Sequence, residues 1–174
     1  GEPVPPYLGT AKGSPLENGI LQVSIDEKSG AIKSLTWKVP GEPELVDASG
    51  GRGLNDYLYV PGRDPKEARG VDSVQILPGE PGPLVASVVA VSKAPGAREL
   101  RREYILTAGS DRLEIRNVVD KANVREKESV HFAFSFRVPG GEAQLDLGWA
   151  KIRPDSDQIA GSNHDYFCVQ NAVD

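Results

Sequence analysis

Few side chains in this sequence are of the kinds that do chemistry. His131 and His164 are its only imidazoles, and neither stands in an H-x-x-x-H or H-x-E arrangement that would bring two ligands to one metal ion. A metal site built wholly from this chain is therefore not expected. Glu126, Glu128, Asp155, Asp157 and Asp165 offer material for the carboxylate pair of a glycosidase, in which one group protonates the leaving oxygen and the other attacks or activates water. The same residues sit in Arg-Glu-Lys-Glu and Pro-Asp-Ser-Asp stretches, the composition of a solvated surface. Ser129 and Ser135 lack the Gly-x-Ser-x-Gly frame of an exposed nucleophile, and Cys168, between Phe167 and Val169, reads as a buried thiol rather than an activated one. Tyr57, Tyr59, Trp37 and Trp149 have faces that can stack on the C–H face of a pyranose, or can equally fill an apolar core.

The elements that must position these groups are strands. Leu21, Val23 and Ile25 alternate with polar residues, Glu27-Lys28-Ser29-Gly30 has turn chemistry, and Ala31 to Trp37 resumes the extended pattern, which predicts a β-hairpin. A polar loop follows over 40–53, then a strand from Asp56 to Val60 that ends at Pro61-Gly62. Further strands are expected over 71–77, 84–92, 98–107 and 112–119, with Leu113, Ile115 and Asn117 on one face. In Ser129–Val138 the residues Val130, Phe132, Phe134 and Phe136 form the side expected to be core. Phe167 to Val173 also reads as strand-like. Repeated short strands without a 3.6-residue apolar stripe point to an all-β fold of stacked antiparallel sheets.

Length and composition agree. The chain has 174 residues, 19 Gly and 14 Pro, enough for one sizeable core and too heavily punctuated for long helices. Gly1 to Pro15 reads as an extended linker and residues 16–174 as the sandwich domain. Lys and Arg number 20 against 25 Asp and Glu, interspersed, for a net charge of −5, so no nucleic-acid footprint is expected. No apolar run reaches membrane-helix length and the first residues have no signal-peptide pattern. With a single cysteine, a reducing, cytoplasmic setting is the expectation. The absence of methionine and the abrupt last strand suggest an excised piece of a larger sandwich. Such a cut would expose strand edges and invite self-association.

Two strings carry a family resemblance. Leu16-Glu17-Asn18-Gly19-Ile20-Leu21-Gln22-Val23, continuing through Asp26-Glu27-Lys28-Ser29-Gly30-Ala31-Ile32-Lys33-Ser34-Leu35, resembles the LEN-x-x-L-x-V…D-x-x-S/T-G-x-I-x-S-L opening of the carboxy-terminal β-region of glycoside hydrolase family 38 α-mannosidases. Lys127-Glu128-Ser129-Val130-His131-Phe132-Ala133-Phe134-Ser135-Phe136 is similar to that family's K-E-S-V/L-x-x-A-F-P-F strand, with Ser135 in place of the proline. Residues 152–162 and 167–174 follow in the family's order.

The resemblance implies a galactose-mutarotase-like β-sandwich (a supersandwich) placed after a catalytic α/β domain and a helical bundle. Those partners lie in the same parent chain. The family hydrolyses α-mannosidic bonds in oligosaccharides with retention, and its zinc ion and catalytic carboxylates belong to the earlier domains. It implies that this part is catalytically inactive by itself and has no cofactor of its own. It also implies a tyrosine reaching the sugar site from a Y-L-x-x-P strand, here Tyr57-Leu58-Tyr59-Val60-Pro61, which makes Tyr57 the one expected substrate contact. Two alternatives stand beside it: a free-standing carbohydrate-binding module, and an aldose epimerase using a histidine and a carboxylate.

Overall fold

The computed structural model describes residues 7–8, 15–79, 82–164 and 166–169. The chain divides into two compact units, 1–137 and 138–174, where the sequence pattern offered one domain from residue 16 onward.

The first unit is all-β. Its strands are β1 Tyr7–Leu8, β2 Leu16–Glu17, β3 Leu21–Ile25, β4 Ile32–Trp37, β5 Leu54–Pro61, β6 Ser73–Pro78, β7 Val85–Lys93, β8 Ala97–Thr107, β9 Leu113–Lys121 and β10 Glu128–Phe134. One sheet runs in the order β1-β2-β3-β4-β5-β10 and the other in the order β6-β7-β8-β9, with every pairing antiparallel. Among the described residues no helix is long and apolar enough to cross a membrane.

The two sheets face one another across a shared core. Leu21, Val23, Ile25, Ile32, Leu35 and Leu54 from the first sheet meet Val88, Ala90, Tyr104 and Leu106 from the second. The β3 pattern of buried and half-buried residues in strict alternation is what period-two hydropathy demands of a strand with one face inward. Each fully buried Leu, Ile or Val contributes about 1.5–3 kcal/mol relative to exposure, so this seam dominates the stability of the unit. A second, smaller cluster of Tyr57, Ala94 and Leu100 is flanked by Tyr59, Val130 and Phe132.

The β3–β4 hairpin turns as its sequence implies. Asp26 Oδ1 accepts from the backbone of Lys28 and Ser29 at 2.9 and 2.7 Å, and Gly30 takes φ +71°, a conformation open to glycine at little cost. The 40–53 segment is more tightly held than a polar loop would be. Its Glu44 carboxylate accepts from Ser34 Oγ at 2.5 Å and from the Leu35 and Val46 N–H groups at 2.9 Å each, and Val46 enters the core.

Two expectations are corrected. The aromatic side of Ser129–Val138 is core only as far as Phe132; a register shift between Ala133 and Phe134 turns the strand, and Phe134 and Phe136 stack on each other in the open, 48% and 54% exposed. Cys168 is exposed, because Phe167 to Val169 form no strand that would bury it. The rest of the strand-like run, 170–173, lies outside the described residues.

The second unit has one small hairpin, β11 Leu145–Leu147 with β12 Ala150–Ile152. Its tip is Gly148 at φ +59° and Trp149. Arg153 then closes the following loop on Asp157, Nη2 to Oδ1 at 3.0 Å.

Candidate functional site

The motif residues of the first string lie at the seam between the sheets. Asn18, 1% exposed, donates through Nδ2 to the carbonyls of Thr107 and Ser110 at 2.7 and 2.8 Å, while its Oδ1 accepts from the N–H groups of Ile20 and Leu21. One amide thus ties the entrance of the first hairpin to the β8–β9 turn of the opposite sheet. The Ser29-Gly30 corner is gripped from the same side. Tyr104 donates its hydroxyl to Gly30 O at 2.7 Å, and Arg102 donates to Ser29 O at 2.5 Å, Asn55 O at 3.2 Å and Ser92 Oγ at 3.1 Å. Asn55, held at φ +59°, exchanges two amide bonds with Asn117 at 2.9 and 2.8 Å.

Arg102 is fully buried, and its hydrogen bonds go to two main-chain oxygens and a serine hydroxyl rather than to a carboxylate. Burial pulls its pKa down, against the opposing pull of Tyr104 and Asp56. Burial likewise raises the pKa of Asp56, whose bridge to Arg52 is long, at 3.6 Å. Among the described residues Arg102 Nε and one oxygen of Glu128 are the buried side-chain polar atoms without a hydrogen-bond partner.

Tyr57, expected to contact sugar, has 0% exposure. Its ring stands edge-on to Phe132 with centroids 5.7 Å apart, and its hydroxyl donates to Pro95 O at 2.6 Å. In this chain Tyr57 is a packed residue whose polar tip holds the β7–β8 turn. Beside it the Tyr59 ring lies under Gly96 so closely that a Cβ there would fall 2.4 Å from Tyr59 Cε2. The Tyr59 hydroxyl bonds to Glu128, whose other partner is Lys121. Lys121 and then Tyr59 hold the Glu128 carboxyl below its usual range, so it serves as an ion-pair anchor rather than a proton donor.

The remaining candidates are dispersed. Glu126 is exposed, and His131 is exposed with its Nε2 2.8 Å from Ser129 Oγ. Trp37 is 42% exposed and Trp149 fully so. Ser135 accepts an N–H bond from Asp47 through its carbonyl. In the second unit His164 Nδ1 is 2.6 Å from Asp155 Oδ1 and Asp157 pairs with Arg153, all on the surface; Asp165 lies outside the described residues. Among the described residues no three His, Cys, Asp or Glu side chains converge on one point.

One concavity was not foreseen. A groove of about 770 Å³ lies on the outer face of the second sheet, lined by Leu77, Val85, Val89, Ile105, Glu103 and Arg116 among others. Glu103 in its lining accepts from Ser87 Oγ at 3.2 Å, with Arg116 and Arg101 at 3.5 and 3.8 Å. Registering β7, β8 and β9 against each other, which sets Val89 beside Glu103 and Glu103 beside Arg116, is the signal that could have revealed it.

No curated protein matches the chain. The family profile for the glycosyl hydrolases family 38 C-terminal domain matches residues 16–159, a span that contains both sheets apart from β1 and the second unit's hairpin. The chain belongs to that family.

Proposed function

We propose that this chain is the non-catalytic β-sandwich part of an α-mannosidase, which supports the active site of a catalytic α/β domain and helical bundle in the same parent chain. The substrate is a mannose-containing oligosaccharide, and zinc belongs to the catalytic domain. One observation carries the reading: the motif residues Asn18, Ser29 and Gly30 bond across to the other sheet, Asn18 through its side-chain amide N–H groups and Ser29 and Gly30 through their carbonyls, and their remaining polar groups bond within their own turns. Residues consumed in closing a scaffold are not free for bond cleavage. Tyr57 fits a supporting role at the rim, since its hydroxyl would meet a sugar only by giving up Pro95 O. Held there, it fixes the turn that the catalytic domain or the sugar abuts.

The test is to isolate the native gene product with an antibody raised against this chain and to assay it beside the chain alone. The native product hydrolyses an aryl α-mannoside, loses activity to a chelator and regains it with zinc; the chain alone hydrolyses nothing. Turnover by the chain alone would refute the reading. The outer groove and exposed Trp149 favour a second reading, a sugar-binding module, whose mark is measurable mannose affinity in the isolated chain.

A further inference from the structure

The second sheet ends in two unlike edges. β9 carries Glu114, Arg116, Asp120 and Lys121, the charges that protect an exposed edge from pairing. β6, Ser73-Val74-Gln75-Ile76-Leu77-Pro78, has none, and among the described residues its only strand neighbour is β7. The Gly79 N–H bond to Ser87 O fixes the phase of the β6–β7 ladder. By alternation Ser73, Gln75 and Leu77 spend their backbone groups on β7, and Val74 and Ile76 turn theirs outward.

We infer that the β6 edge pairs with the same edge of a second copy of this chain, about a two-fold axis at Gln75. The segment is self-complementary in that register. Val74 of one copy faces Ile76 of the other, and each contributes one outward N–H and one C=O, so two such pairs close the ladder reciprocally. Gln75 then faces its own counterpart across a narrow, non-hydrogen-bonded pair. Val74 and Ile76 already point inward onto the core, while Gln75 and Leu77 are exposed on the outer face. Pairing therefore demands no change inside either sandwich, and it sets Leu77, at the margin of each outer groove, opposite Ser73 of the other copy. Four strands become eight in one continuous sheet.

Because Gln75 is exposed, charge can be placed at the axis without touching the core. Sedimentation of the whole chain should show a dimer. Gln75→Lys and Gln75→Glu should each associate about fivefold more weakly, since like charges directly opposite cost up to about 1 kcal/mol, and an equimolar mixture should recover wild-type affinity or better. Gln75→Cys in a Cys168→Ser background should form a disulfide-linked dimer on mild oxidation, because this pair type brings Cα atoms to about 4.5 Å. Circular dichroism verifies that each variant is folded. A wild-type chain that stays monomeric at all concentrations would overturn the inference. So would a dimer whose affinity is the same in both charge variants and their mixture.

Discussion

The two faces of β8 differ in a way that runs against the usual rule for a sandwich. The inner face holds Leu100, Arg102, Tyr104 and Leu106, all at 0% exposure, so a cation lies in the core. The outer face of the same sheet sets Val85, Val89 and Ile105 beside Glu103 in the groove, and Val85 is 40% exposed. Arg102 and Glu103 are neighbours in sequence with opposite circumstances. One bonds to two main-chain oxygens of the opposite sheet and to the Ser92 hydroxyl of its own; the other makes long ion pairs in a groove. A buried cation surrounded by carbonyls gives directional bonds that fix where the hairpin corner sits, whereas a solvated pair does little to fix anything.

Removing the clasp should give the largest effect. Arg102→Ala leaves a cavity and strips donors from three oxygens, a loss of about 4 kcal/mol readable as a lowered urea midpoint. Gly30→Ala comes next, at about 2 kcal/mol, because Gly30 has φ +71° and a Cβ there would fall 2.4 Å from Arg102 Nη2. The pair sharpens the comparison. In an Arg102→Ala background the atom that the new methyl strikes is gone, so Gly30→Ala should cost less there.

Carboxylates set the next rank, and they act in opposite directions with pH. For Glu44, burial pushes the pKa up but the Ser34 hydroxyl and the Leu35 and Val46 N–H groups more than offset it, so the folded value lies below 4.5. Its stabilisation is present above pH 4.5 and is lost as pH falls through the folded value; Glu44→Gln should cost about 1 kcal/mol at neutral pH and nothing in acid. For Asp56 the folded value is raised above 3.8 by burial. The unfolded chain ionises first, so stability declines as pH rises from 3.8 to the folded value, and Asp56→Asn should abolish that decline in urea titrations run across the interval. The smallest effect belongs to the outer face, where Glu103→Gln should change stability by about 0.5 kcal/mol at most.

Much of the fold was legible because alternation is a direct image of the pleat. Leu21, Val23 and Ile25 read as one face, Glu27 to Gly30 as a turn, and both held. The 101–103 stretch, Arg-Arg-Glu, gave no such contrast, since three charged residues in succession hide which one is buried. The apolar run of β7 was equally silent about which valines line a groove, because both its faces are apolar. Phe134 and Phe136 were misread because a bulge resets the faces without leaving a hydropathy mark. For the site, Tyr57 was located on the correct strand, but its bond to Pro95 O depends on a turn nearly forty positions away, which no local pattern encodes.

The most direct test of the account is complementation. The catalytic domain proposed for the parent polypeptide, prepared with zinc and without this segment, is titrated with the purified chain while aryl α-mannoside hydrolysis is followed. The account predicts that the chain alone is inert and that activity rises saturably as it is added. Full activity of the catalytic part without the chain, or hydrolysis by the chain alone, would contradict it.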